Sequence, residues 1–135
     1  MKNNTQQGTN LSVINSYFNA LANGDMETFA STFAEGVVWH QPGRNKFSGD
    51  KRSFSDIGAM IGGMMEDSLG SFAVKPITSA MANEDLVSVP VHFSGKKNSA
   101  EIDMQGLDLF RLEGGKIIEV WLFSENQSKE DAFWG

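Results

Sequence analysis

Between Leu86 and Ser94 the chain alternates without a break, with Val87, Val89, Val91 and Phe93 on one side and Ser88, Pro90, His92 and Ser94 on the other. A period of two marks a strand with one face in a core and the other outside it. Such a strand needs neighbours, and they follow at once. Gly95-Lys96-Lys97-Asn98 reads as a hairpin turn, 100–112 as a strand with Gly106 at a bulge or bend, Glu113-Gly114-Gly115-Lys116 as a turn, and 117–125 as a further strand. Upstream, 72–81 reads as a strand closed by Ala82-Asn83-Glu84-Asp85, and 37–41 as a short one that Pro42-Gly43 stops.

The N-terminal half has the other period. Leu11, Ile14, Phe18 and Leu21 recur at helical spacing, which predicts a helix over 11–23, with Asn10 or Thr9 to cap its start and Gly24 just past its end. Asp25 caps a second helix over 25–34, with Met26, Phe29, Ala30 and Phe33 inward and Gly36 beyond it. A third spans 54–68, with Phe54, Ile57, Ile61, Met64 and Met65 on one face. Its three glycines each cost about 1 kcal/mol, so it depends on tertiary contacts. Helices first and an antiparallel meander afterwards is the α+β pattern.

The 135 residues suit one domain, expected over 11–135 behind a loose lead-in over 1–10. The absence of cysteine removes disulfides, thiolate ligands and a cysteine nucleophile, and fits a reducing compartment. A net charge of −6 with scattered basic residues disfavours nucleic acid and anionic membranes as partners. The first ten residues lack the apolar region of a signal peptide, and no apolar run approaches a membrane span, so a cytoplasmic location is expected.

Several chemistries lack their signatures. There is no phosphate loop, and Gly62-Gly63 lies inside a helical pattern. His40 and His92 are not at metal-ligand spacing, so neither a metal nor another cofactor is expected. No serine sits in a nucleophile elbow. Acid–base and electrostatic chemistry in an apolar cavity remains, and Asp108 is its clearest candidate. It shares a strand face with Met104, Gly106, Phe110 and Leu112. A carboxyl there is either a paired structural group or one with a raised pKa. Tyr17 reads more commonly as an ordinary core tyrosine with its hydroxyl at the boundary. His40 and Gln41 read as a polar strand end, and His92 points away from the valine face. The Met60, Met64 and Met65 group is plain core or an adaptable pocket wall.

The segment Tyr17-Phe18-Asn19-Ala20-Leu21-Ala22-Asn23-Gly24-Asp25, then Phe33-Ala34-Glu35, Pro42-Gly43, Ser48-Gly49, Asp108-Leu109-Phe110-Arg111-Leu112 and Gly115-Lys116-Ile117, resembles the nuclear transport factor 2-like superfamily. Within it, the chain is similar to the ketosteroid isomerase and SnoaL-like polyketide cyclase group, over about residues 11–135. The resemblance implies a cone-shaped curved antiparallel sheet packed with three N-terminal helices, a deep apolar pocket for a small apolar molecule, and a homodimer. It puts Tyr17 and Asp108 on the two oxyanion-hole positions of ketosteroid isomerase, where an aspartic acid kept neutral donates a hydrogen bond. It puts Gln41 on the base position, and glutamine takes no proton at neutral pH. SnoaL-like cyclases use a strand aspartate as acid–base, which implies that role for Asp108, helped by His40 if its ring turns inward. With alternation, the cone implies a pocket wall of Trp39, Met60, Met64, Val87, Val89, Val91, Phe110, Val120 and Leu122. Trp121 and Phe123 then face outward, toward a partner copy. Two functions follow as expectations: proton transfer next to a carbonyl, as in an isomerase or aldol-type cyclase, or a ligand-binding or association module without chemistry.

Overall fold

The computed structural model describes residues 2–135, with side chains from Thr5 onward; Met1, the first residue of the expected lead-in, lies outside the described residues. The elements are α1 (Lys2–Asn23), α2 (Met26–Ser31), β1 (Phe33–Gln41), β2 (Gly49–Lys51), α3 (Phe54–Asp67), β3 (Ala73–Pro76), β4 (Met81–Asn83), β5 (Leu86–Lys96), β6 (Glu101–Glu113), β7 (Lys116–Ser124) and α4 (Gln127–Trp134). The α+β class holds. One sheet runs in the order β2-β1-β7-β6-β5-β3, with β4 on the same edge of β5 as β3, and the helices pack on it.

The strongest sequence signals gave the most faithful elements. Along β5 every second residue is buried, as its alternation demands. Asp25 caps α2 as expected, accepting from the Thr28 amide at 3.2 Å; Ser53, not singled out in the sequence, caps α3 by accepting from the Asp56 amide at 3.1 Å. Gly24 follows α1 at φ 68°, a left-handed conformation that costs glycine little.

Other boundaries moved for local reasons. The lead-in expected to be loose continues α1 back to Lys2, and buried Asn10 donates to the Glu84 carbonyl at 3.4 Å. The second helix ends three residues early. The hydroxyls of Ser31 and Thr32 turn back onto the Thr28 and Phe29 carbonyls, at 2.6 and 2.7 Å, and compete with the next helical turn. Phe33 therefore opens β1, opposite Ile117 of β7. That pairing is parallel, so the sheet is mixed rather than wholly antiparallel. The expected strand over 72–81 is two strands, interrupted at 77–80. Two elements were not anticipated, β2 in the turn-rich 41–52 segment and α4 in the tail.

Gly106 is not a bulge: its pairing with Val91 and Ser124 is in register, and the irregularity of β6 lies between Arg111 and Leu112. A side chain at Gly106 would nonetheless meet the Phe123 carbonyl oxygen at 2.5 Å and the Phe93 ring at 3.1 Å. The glycine allows this close approach of β7 and Phe93.

Candidate functional site

Three sheet rows build the site. Trp39, Val120, Phe110 and Val87 lie side by side across β1, β7, β6 and β5. Two residues along, Leu122, Asp108 and Val89 form the next row, and Gln41 follows Trp39 at the same interval on β1. Beyond that come Ser124, Gly106 and Val91. All point to the concave face.

The first row is largely closed. Tyr17 and Phe18 of α1 stand edge-on to Phe110, with ring centroids 5.0 and 6.1 Å away. Val87, Phe110 and Val120 are consequently sealed in the core, as is Val89 of the next row, and none of the four is part of the pocket wall that the sequence led us to expect. Alternation placed them on the correct face, but α1 fills the cone there.

Above that floor opens a cavity of about 500 Å³, lined by Tyr17, Trp39, Gln41, Met60, Met64, Val91, Asp108 and Leu122 among the expected residues. Such a volume suits a small organic molecule. Ile61, Phe72, Phe93, Ser124 and Glu130 complete the inner wall, while Ala22, Met26, Met65 and Lys75 also contribute to the lining.

His40 is not in the cavity. Since Trp39 and Gln41 face inward, strand parity sends the residue between them outward. There its ring lies 2.8 Å from Asp50 and 2.6 Å from Glu119 and stacks on Trp121, and the carboxylates, Glu119 foremost, raise its pKa. The inward-turned ring is thereby corrected. His92 also faces out, 2.5 Å from Asp103.

The buried polar groups differ sharply in how they are satisfied. Gln41 Oε1 accepts from the Trp39 indole N–H at 2.9 Å, which orients the amide so that its Nε2 is left for the cavity. Tyr17 and Asp108 are 2% and 6% exposed. Neither hydrogen-bonds to a described residue, so they do not meet directly, but the Asp108 charge acts on the phenol. Desolvation, with that charge second, holds the Tyr17 pKa well above its ordinary value. Desolvation and then the charge of Glu130 push Asp108 up to about 7. Arg111 is engaged with Asp85 at 2.7 Å and Lys116 with the Ser31 carbonyl at 2.6 Å, so neither neutralises Asp108.

Glu130 is a buried carboxyl of the cavity wall that the sequence reading missed. It is 6% exposed, on the face of α4 that also buries Phe133 and Trp134. Its oxygens accept from Gln127 Nε2 at 3.2 Å and Trp134 Nε1 at 3.4 Å. Burial raises its pKa, while Trp134, Ser124 and Gln127 oppose the rise. The signal was present: Glu130 sits three residues before Phe133 and four before Trp134, a carboxylate on an apolar helical face.

A family model, the SnoaL-like domain, matches residues 14–120. The chain belongs to the SnoaL-like domain family. This SnoaL-like domain resembles a protein of unknown function with a cystatin-like fold from Xanthomonas campestris, at 44% identity and TM-score 0.88 over 93% of this chain and 98% of that one. Bal32a from a soil-derived mobile gene cassette shares the fold at 22% identity and TM-score 0.91, with 96% and 99% covered. So does a SnoaL-like polyketide cyclase, so described, from Jannaschia sp. CCS1, at 15% identity and TM-score 0.73, with 89% and 88% covered. A comparison with curated proteins gave no match. Among the described residues, no group of three His, Asp or Glu side chains could hold a metal ion around the SnoaL-like cavity or elsewhere, and no helix is long and apolar enough to cross a membrane.

Proposed function

We propose that the protein binds a small apolar carbonyl compound in its cavity and moves a proton next to that carbonyl, as an isomerase or aldol-type cyclase does. One observation carries this reading: Tyr17 and Asp108 are buried, unpaired among the described residues, and line one apolar space. Leaving two such groups unsatisfied costs stability, and a ligand oxygen accepting from both removes the cost. Their raised pKa values keep the phenol neutral and the carboxyl largely protonated up to about pH 7, so both donate. Two donors on one oxygen stabilise an enolate more than a ketone, which is the differential binding that catalysis requires.

A second reading, a binding module without chemistry, is favoured by Gln41, which stands where the resemblance puts a base and has its amide fixed by Trp39. Ligand binding is common to both and comes first. Trp39 lines the cavity, so a panel of neutral apolar ketones should quench its fluorescence, and a Trp39→Phe variant should lose that response. If no ketone binds below millimolar concentration and no ligand co-purifies in native mass spectrometry, the proposal fails. Turnover then separates catalyst from binder.

A further inference from the structure

We propose that Glu130, carried by α4, is the proton acceptor of this cavity, working opposite a protonated Asp108. This rests on the carbonyl-binding reading above and supplies the base that β1 lacks. Asp108 has no donor among the described residues, whereas Glu130 accepts from the Trp134 indole and the Gln127 amide. When two buried carboxyls share one proton, the group with donors keeps the charge and the group without them keeps the proton. Asp108 is therefore the acid and Glu130 the carboxylate. Burial raises both carboxyls, and the Glu130 charge acts on Asp108, the group that keeps the proton.

The groups facing this pair leave the division intact. Tyr17 on α1 is neutral, Asp131 on α4 adds negative field at Glu130, and Lys75 on β3 is the one cation lining the cavity among the described residues and is exposed. Asp131 is itself held by Asn45 at 2.8 Å and by Gln127 at 3.0 Å. Gln127 thus ties Glu130 to the loop after β1, which positions the base against the sheet.

The step balances within the cavity. A Glu130 oxygen takes a proton from the carbon beside the carbonyl. The C–H pair becomes a C=C bond, and the carbonyl π pair moves onto oxygen, held by the Tyr17 and Asp108 O–H groups. Protonated Glu130 returns the proton to the same or a conjugated carbon, and the protein ends as it began. The substrate class follows: a neutral, flat, apolar ketone with an acidic neighbouring C–H and no carboxylate, since Glu130 repels one. A second oxygen would meet the Gln41 Nε2 donor.

β-Tetralone is a probe of this class, and deuterium exchange of its benzylic protons in D₂O reads the step by NMR. The wild-type protein should accelerate exchange over buffer, and Glu130→Gln should lower it at least about 100-fold, the scale of a lost general base. Binding of β-naphthol, a flat mimic of the enol, should be as tight or tighter in Glu130→Gln and weaker in Tyr17→Phe. Thermal melting checks that each variant folds, and carbon-detected titration of the carboxyls gives a readout free of substrate. The Asp108 midpoint should fall when Glu130 becomes Gln. Neither exchange nor β-naphthol binding in the wild type would overturn the carbonyl-site reading and this inference with it. Exchange that survives Glu130→Gln, β-naphthol binding with no exchange in the wild type, or an Asp108 titration indifferent to Glu130→Gln would overturn the Glu130 assignment alone.

Discussion

Asp108 is surrounded by groups that repel its charge or ignore it, and this has a sign in solution. Its pKa moves from 3.8 to about 7 on folding, so the native state holds the proton more tightly than the unfolded chain. The contribution of Asp108 to stability is then fully present below about pH 4 and is lost as pH rises toward and through about 7. At about 1.36 kcal/mol per pKa unit, the loss approaches about 4 kcal/mol. Asp108→Asn removes the charge and should match wild type near pH 4, then exceed it progressively to pH 8, as measured by urea unfolding. A difference that does not change with pH would refute the buried-acid account. Gly106 offers a steric prediction. Gly106→Ala drives a methyl toward the Phe123 carbonyl oxygen, 2.5 Å from where its carbon must sit, and should cost about 3 kcal/mol in the same assay.

At the scale of elements, α4 has the most consequence for its length. Its eight residues start from Asn126, which caps by accepting from the Lys129 amide at 3.1 Å. Trp134 packs against Phe47, Phe72 and Phe133 with centroids 4.8–5.2 Å away, and Lys97 reaches its carbonyl at 3.3 Å. The indole thus both anchors the helix and donates to Glu130. Trp134→Ala should cost about 3–5 kcal/mol and lower the Tm, whereas Asn126→Ala should cost about 1 kcal/mol. If the two were equal, α4 would be held by its cap rather than by burial.

At the scale of the molecule, the outer sheet face carries a prediction about assembly. Phe123 is 55% exposed there, and Trp121 is half-buried beneath His40 and Arg111, whose guanidinium lies 5.8 Å from its ring. An apolar pair on an open sheet face suits a second copy of the chain. Light scattering at micromolar concentration should give twice the chain mass, and Trp121→Lys should shift it to the monomer. A wild-type monomer at that concentration would reject the dimer.

The sequence by itself determined whatever depends on neighbours along the chain. Residue alternation set β5, Asp25 and Ser53 set two helix starts, and the order of periods set the α+β class, because caps and pleats act within a few residues. Parity also held enough to turn His40 outward once Trp39 faced in. The motifs that carry the family resemblance likewise pointed to Tyr17 and Asp108, which the tertiary structure brings to one cavity. What only the tertiary structure decided depends on elements distant in sequence. The α1 aromatics seal the first row of the sheet, so Val87, Phe110 and Val120 became core instead of pocket wall, as did Val89 in the next row. The first and last strands met in parallel, which no local pattern encodes. Glu130 reached Asp108, 22 positions away by number, because α4 folds back against β6 and β7. Periodicity records which side of its own element a residue faces; which residue from elsewhere it will meet is fixed only when the elements pack.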